Sequence, residues 1–443
     1  MTEGTVEAGV IDDSGGGSMA RLGTNPPKAH VLRARHERVT AAMTLVGMSL
    51  VVVTGCKRNH GTDQGGPLRL SQSEVHVLGS SEAIALVRDL EVLPDGTVWL
   101  LNSVEPFFIG FGPNGERLTA HGESGGGPEE FRMPSAFTTR GWRGEAWVLD
   151  LVRHALIRVS QPGEWSQISL PREEMPPGSL RGGMDMMSPA VRTARIGDEV
   201  ILPRTTGSME GGLTSFRLAI LGADLVALDP ETGLVREIVG LGDVLDDPSE
   251  GFVATEGGFP LWYRLWAVCG GEEVRVYDRV RNQLRGFSPE GEELPPVRLP
   301  ALHRTEVTPR EFAQVVFPLR QAEVTGAVGS RLTSEDSVRV LSEIEQGIEG
   351  QPHELAAYLP RYVDFRCADD GVMWMQPLDL EVGGLKGGAS WVRIARDGEV
   401  REVHLPERFD AMRFTPDRVW GLQRDELDVA SVAWIDLPEG RTR

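Results

Sequence analysis

The amino-acid sequence predicts an all-β chain folded as a six-bladed β-propeller of four-stranded antiparallel blades. Three observations predict it. A strand–turn–strand unit recurs six times, tryptophan holds one fixed place in four of the copies, and most copies are followed by a second hairpin with a glycine turn. A single four-stranded sheet cannot bury both of its faces. Stacking such sheets around an axis does, and leaves only short edges exposed.

The copies are PDGTVWLLN (94–102), RGEAWVLD (143–150), GDEVILPR (197–204), GEEVRVYD (271–278), DGVMWMQP (370–377) and PDRVWGLQ (416–423). Trp99, Trp147, Trp374 and Trp420 are equivalent, and Ile201 and Arg275 take that place in the other two copies. An aromatic side chain at a fixed strand phase reads as packing between neighbouring blades. Each copy follows a strand-like run (ALVRDLEV, SAFTTR, AVRTARI, YRLWAV, YVDFRC, DAMRF). The trailing hairpins include FIGFGPNGERL, VALDPETGLVR, LRGFSPEGEEL and IARDGEVREV. Their Pro-Asn-Gly, Pro-Glu-Gly and Arg-Asp-Gly turns supply the positive φ that a hairpin needs.

The last blade lacks an outer strand. RLSQSEVHVLG (69–79) is an unassigned strand near the other end of the chain, so it is expected to pair there and close the ring. An insertion at 303–358 separates the fourth and fifth copies. Its apolar period shifts from two toward three and four, which predicts two or three short helices starting near Thr308-Pro309 and Ser334. The third and fourth intervals are long, with GSMEGGLTS as a loop, and a seventh blade there is the alternative architecture.

The 443-residue chain carries 45 Lys+Arg against 65 Asp+Glu, a formal net charge of -20. A surface this acidic argues against nucleic-acid binding, which needs a basic footprint. Residues 31–56 read VLRARHERVTAAMTLVGMSLVVVTGC. Arg33, Arg35 and Arg38 form a positive n-region, and Ala41 to Val53 is an apolar run of signal-peptide length, short for a membrane span. It ends in Val53-Thr54-Gly55-Cys56, which resembles the lipobox of bacterial lipoproteins, with Cys56 the lipidated residue. The long stretch ahead of the n-region suggests a start codon assigned too early. Residues 56–68 have the composition of a flexible tether. Lys57 is not an inner-membrane-retaining aspartate, which favours the outer membrane of a bacterial cell envelope. The reading by domain is therefore a leader at 1–55, a tether at 56–68 and a propeller at 69–443.

The stretch 93–137 resembles NHL-type six-bladed propellers. It places Gly122, Gly125, Gly126, Gly127, Pro128, Glu130 and Phe131 where that family has its Gly-rich GP-x-EF linker between blades. ELAAYLPRYVDFRCADDGVMWMQP (354–377) resembles part of exported propeller lipoproteins of bacteria. The resemblance covers roughly 70–440 and implies the fold. It implies no single activity, because propellers host unrelated ones. The glycine run is not a phosphate loop, since no Gly-Lys-Ser/Thr follows it.

Candidate chemistry is sparse. The inner strands offer Asp89, Glu91, Asp364 and Asp410. Asp89, Asp364 and Asp410 share one phase relative to the tryptophan position, in blades that become neighbours on closure. Three carboxylates converging on an axis suit a hard cation such as calcium, as in lactonase-like propellers. The competing reading has them cap turns or pair with Arg88, Arg192, Arg264 and Arg366 on nearby inner strands. The histidines show no zinc spacing, and no nucleophile motif is present. Cys269 and Cys367 end the first strands of adjacent blades, so a disulfide and two buried thiols are both open. The leading expectation is a membrane-anchored binding or scaffold module for a protein, peptide or glycan, with no cofactor. The alternative is a calcium-assisted lactonase-like hydrolase or lyase with acids at the channel mouth.

Overall fold

The computed structural model describes residues 66–438 except 81–83, 85, 128, 140–143, 160–165, 171–191, 205–223, 241–264, 280, 302–305, 316, 318–332, 348–358 and 381–387. The leader, Cys56, the GSMEGGLTS loop, Arg264 and all of the HELAAYL segment but Leu359 lie outside the described residues. Among the described residues no helix is long and apolar enough to cross a membrane.

The chain is built from strands in this order. β1 (Leu68–Arg69) and β2 (Val75–Ser80) come first. A first run follows: β3 (Val87–Val92), β4 (Val98–Asn102), β5 (Phe108–Phe111) and β6 (Arg117–His121). The short β7 (Glu123–Ser124) and β8 (Glu130–Phe131) form the glycine-rich linker. The second run is β9 (Pro134–Thr139), β10 (Ala146–Asp150), β11 (Ala155–Val159) and β12 (Gln167–Ser169). The third is β13 (Thr193–Ile196), β14 (Glu199–Arg204), β15 (Asp224–Leu228) and β16 (Val235–Val239). The fourth is β17 (Trp266–Cys269), β18 (Glu273–Asp278), β19 (Gln283–Phe287) and β20 (Glu293–Arg298). The fifth is β21 (Tyr362–Cys367), β22 (Met373–Pro377), β23 (Ser390–Ile394) and β24 (Val400–His404). The last is β25 (Phe409–Phe414), β26 (Arg418–Arg424) and β27 (Ala430–Asp436).

This is an all-β propeller-type arrangement. Each run is an antiparallel meander in chain order. The second and third runs are fused into one eight-stranded sheet by a short parallel pairing of β9 with β13, where Thr138 and Thr193 share a 2.9 Å hydroxyl hydrogen bond. The first strands of the runs adjoin one another in sequence, β3 to β9 to β13 to β17 to β21 to β25, and β25 adjoins β3. β2 pairs antiparallel with β27, Val75 opposite Ile435, so both described ends of the chain meet in one sheet as expected. The expectation fails for residues 69 and 70. β1 pairs instead in parallel with β24 of the preceding sheet, Leu68 opposite Val403, and Leu70 is buried there.

Among the described residues, six apolar clusters occupy the seams between successive runs. Trp99 packs with Phe131, Phe137 and Val148, and Trp147 with Val200, Leu202 and Val226. Ile201 packs with Trp266 and Val276, Tyr277 with Tyr362 and Phe365, and Trp374 with Phe409, Phe414 and Val419. Trp420 packs with Leu90, Leu100 and Ile109 of the first run, across the closing seam. Arg275 holds the tryptophan place by a different means. Its guanidinium lies over Gly286 and is fixed by two bonds to Glu273 and one to the Pro295 carbonyl. Trp99 likewise lies over Gly110, where an added β-carbon would sit 3.0 Å from the indole.

The insertion between β20 and β21 holds a helical stretch α1 (309–315) and a helix α2 (Ser334–Gly347). Thr308 caps α1. Its hydroxyl accepts from the Glu311 N–H at 3.2 Å while the Glu311 carboxylate accepts from the Thr308 N–H at 2.7 Å. Thr333, one residue before the expected start, caps α2 through the Asp336 N–H. Val307, Phe312, Ala313 and Val315 are fully buried, so this part of the insertion belongs to the core.

Candidate functional site

In an antiparallel meander the first strand starts, and the second strand ends, at the same edge of the sheet. The links between runs, the turns after each second strand and the ends of the insertion therefore share one end of the ring. Buried carboxylates frame two of these turns. Asp150 closes β10 and accepts from the N–H groups of Arg132, Met133 and Arg153. Asp278 closes β18 and accepts from the Arg281 backbone and guanidinium.

At the axis the first strands leave a narrow cavity lined by Asp89, Glu91, Arg192, Thr193, Arg366 and Arg413. Its volume is about 30 Å³, small for anything beyond water-sized occupants. Arg192, just ahead of β13, spans from the third run to the fifth. Its Nη2 lies 2.9 Å from Asp364 Oδ1, and its Nη1 donates to the Phe365 carbonyl at 2.9 Å. Arg366 Nε donates to the other Asp364 oxygen at 3.1 Å. The Phe365 N–H also reaches Asp364 Oδ1 at 2.6 Å, so both carboxylate oxygens are engaged. Burial pushes the Asp364 carboxyl up, but the Arg192 and Arg366 guanidiniums outweigh it and hold the group below the usual carboxylate range. Burial and the like charge of Arg366 lower Arg192, partly offset by Asp364.

The register expected for the three acids is present. Asp89, Asp364 and Asp410 lie opposite Leu101, Gln376 and Leu422, each two residues past the tryptophan. They do not form one set of metal ligands. Asp89 accepts from the N–H groups of Leu90 at 2.9 Å and Phe137 at 2.8 Å. Asp410 has a side chain 58% exposed and accepts from Arg424 Nε at 3.0 Å. Arg88 donates to Ser103 Oγ at 2.8 Å and to the Pro134 carbonyl. Among the described residues no group of three or more His, Cys, Asp or Glu side chains is placed to hold a metal ion. The candidate acids already meet arginine or backbone N–H groups, so this donor set does not fit calcium as it stands.

Sequence reasoning missed Arg413. It is buried opposite Trp420, 3.1 Å from Asp369 and 3.8 Å from Glu91. Burial lowers its pKa, but those two carboxylates outweigh burial and raise it. Cys269 and Cys367, at the ends of β17 and β21, are joined by a disulfide with a Cα separation of 5.1 Å.

No family model matches the chain, and no curated protein matches it. Among solved structures it is similar to virginiamycin B lyase from Staphylococcus aureus (10% identity, 83% of this chain and 88% of that one, TM-score 0.37). It is also similar to a gluconolactonase from Xanthomonas campestris (10% identity, 85% and 96%, TM-score 0.39). A third is the calcium-binding protein regucalcin from Agrobacterium tumefaciens (10% identity, 84% and 97%, TM-score 0.38).

Proposed function

We propose that the chain is an exported, NHL-like six-bladed propeller, anchored through Cys56, that binds a protein, peptide or glycan on the end of the ring carrying the insertion. The six-blade reading divides the eight-stranded sheet at its short β9–β13 pairing, giving one seam cluster for each pair of successive runs. The disulfide suits an oxidising compartment outside the cytosol. The observation that carries the binding reading is the state of the axis. Asp89 and Asp364 are spent on backbone N–H groups and arginines, while the insertion is packed through Phe312, Ala313 and Val315.

A second reading is a hydrolase or lyase at the same mouth, with calcium as its cofactor. It draws on the half-buried Arg192–Asp364–Arg366 cluster, because ionisable groups held in a cavity are candidates for acid–base work. It requires Asp364 to exchange its arginines for the ion. Metal analysis of the purified chain, with melting temperatures before and after EDTA, separates the readings. No bound metal and no shift favour the binding module. One calcium per chain, lost with Asp89→Ala or Asp364→Ala, favours the enzyme. Mass spectrometry of the membrane fraction checks the anchor, and an unmodified Cys56 in the mature protein refutes it.

A further inference from the structure

We infer that Ser390, His404 and Glu402 form a serine-hydrolase site for small carboxylic esters on the rim of the fifth sheet, apart from the axis. Ser390 opens β23 and His404 closes β24, directly opposite each other. The adjacent Leu405 N–H donates to the Ala389 carbonyl at 2.8 Å, which makes Ser390 and His404 a narrow, non-hydrogen-bonded pair with close side chains. Ser390 Oγ lies 2.8 Å from His404 Nδ1, and His404 Nε2 lies 3.3 Å from Glu402 Oε1. The Glu402 carboxylate beside Nε2 favours a proton on that nitrogen. Nδ1 is left as the lone-pair nitrogen facing the serine hydroxyl. Nucleophile and base thus share the hydrogen bond that nucleophilic catalysis needs, with a carboxylate near the far imidazole nitrogen and the two nitrogens exchanged relative to the serine-protease arrangement.

The neighbouring strand adds a cation. β1 places Arg69 opposite His404, and the Leu70 N–H ties the two strands through the His404 carbonyl at 2.9 Å. Arg69 is exposed, and its guanidinium is assigned to the oxyanion. Ser390 Oγ attacks the ester carbonyl carbon as His404 Nδ1 takes the hydroxyl proton. The C–O bond to the alcohol then breaks, and His404 returns the proton to the leaving alkoxide. Water, deprotonated by His404, attacks the acyl-serine and releases the carboxylic acid and Ser390. Glu402 acts as a positioning residue.

The test uses the full chain with p-nitrophenyl acetate and a fluorophosphonate probe, the adduct being located by mass spectrometry. The expected adduct is on Ser390. Ser390→Ala abolishes it and lowers turnover by about a hundredfold or more, because loss of the nucleophile also idles its general base. Glu402→Gln labels the same serine more slowly at an unchanged melting temperature, and Arg69→Gln slows acylation. An adduct elsewhere, no adduct, or full turnover by a folded Ser390→Ala overturns the assignment.

Discussion

Replacing both Cys269 and Cys367 by alanine tests how the fourth and fifth runs are held together. The cysteines are 98 residues apart, and the insertion lies between them. In the chain-entropy account a cross-link closing a loop of about 100 residues contributes about 4.7 kcal/mol at 25 °C. Unfolding entropy of about 2.1 cal/mol/K per residue gives about 0.8 kcal/mol/K for a body of about 380 residues. The double variant should therefore melt about 6 °C lower by calorimetry, and the reduced wild type should move with it. Thiol titration of the denatured, unreduced protein should find neither residue free. A double variant melting within about 1 °C of the oxidised protein would refute the reasoning, since the unfolded chain would then gain nothing measurable from opening the loop.

Trp374 is fully buried and stacks on Phe414 at 4.5 Å, so Trp374→Ala should cost about 3–5 kcal/mol in urea titrations. A loss under about 1 kcal/mol would contradict the seam packing. Asp150→Ala strands three backbone N–H groups at about 1–3 kcal/mol each, which equilibrium unfolding would register. Asp364 has a lowered folded pKa, so its contribution is complete above its unfolded value near pH ~3.9 and is lost as the pH falls through the folded value. Asp364→Asn should flatten that part of the acid-unfolding curve, and an unchanged curve would argue against the Arg192 link. Deleting Val75–Ser80 removes the partner of β27 and should lower the melting temperature of the whole ring, whereas an unaltered melt would refute closure through β2.

The repeated unit was legible because its signals are local. A turn with Gly or Asp, a strand of fixed phase and one large residue suffice to place β4, β10, β14, β18, β22 and β26, and all six stand where the copies predict. The closing strand was legible by elimination, since β27 needed an outer neighbour. Thr308 and Glu311 have the spacing of a capping box and mark the helix they start. Pairing of β1 with β24 was not legible, because two residues in parallel register carry no pattern of their own. Arg275 shows the limit of phase. The position is that of a tryptophan, but Gly286 beneath and Glu273 beside it turn the packing site into an ion pair.

The axis shows the same limit at the level of chemistry. Asp89, Asp364 and Asp410 share a register and differ in fate because partners come from other runs. Arg192 reaches Asp364 across the fourth run, the Phe137 N–H takes Asp89, and Arg424 takes Asp410 at the surface. Sequence phase states which face a side chain is on, not which cation the neighbouring sheet puts there. The rim pair follows from the same rule. Ser390 and His404 are fourteen residues apart with no motif between them, and only the register of β23 on β24 makes them neighbours. If Ser390 carries the adduct, a cross-strand pair at the rim adds a site of its own, and it is one that sequence phase alone does not reveal.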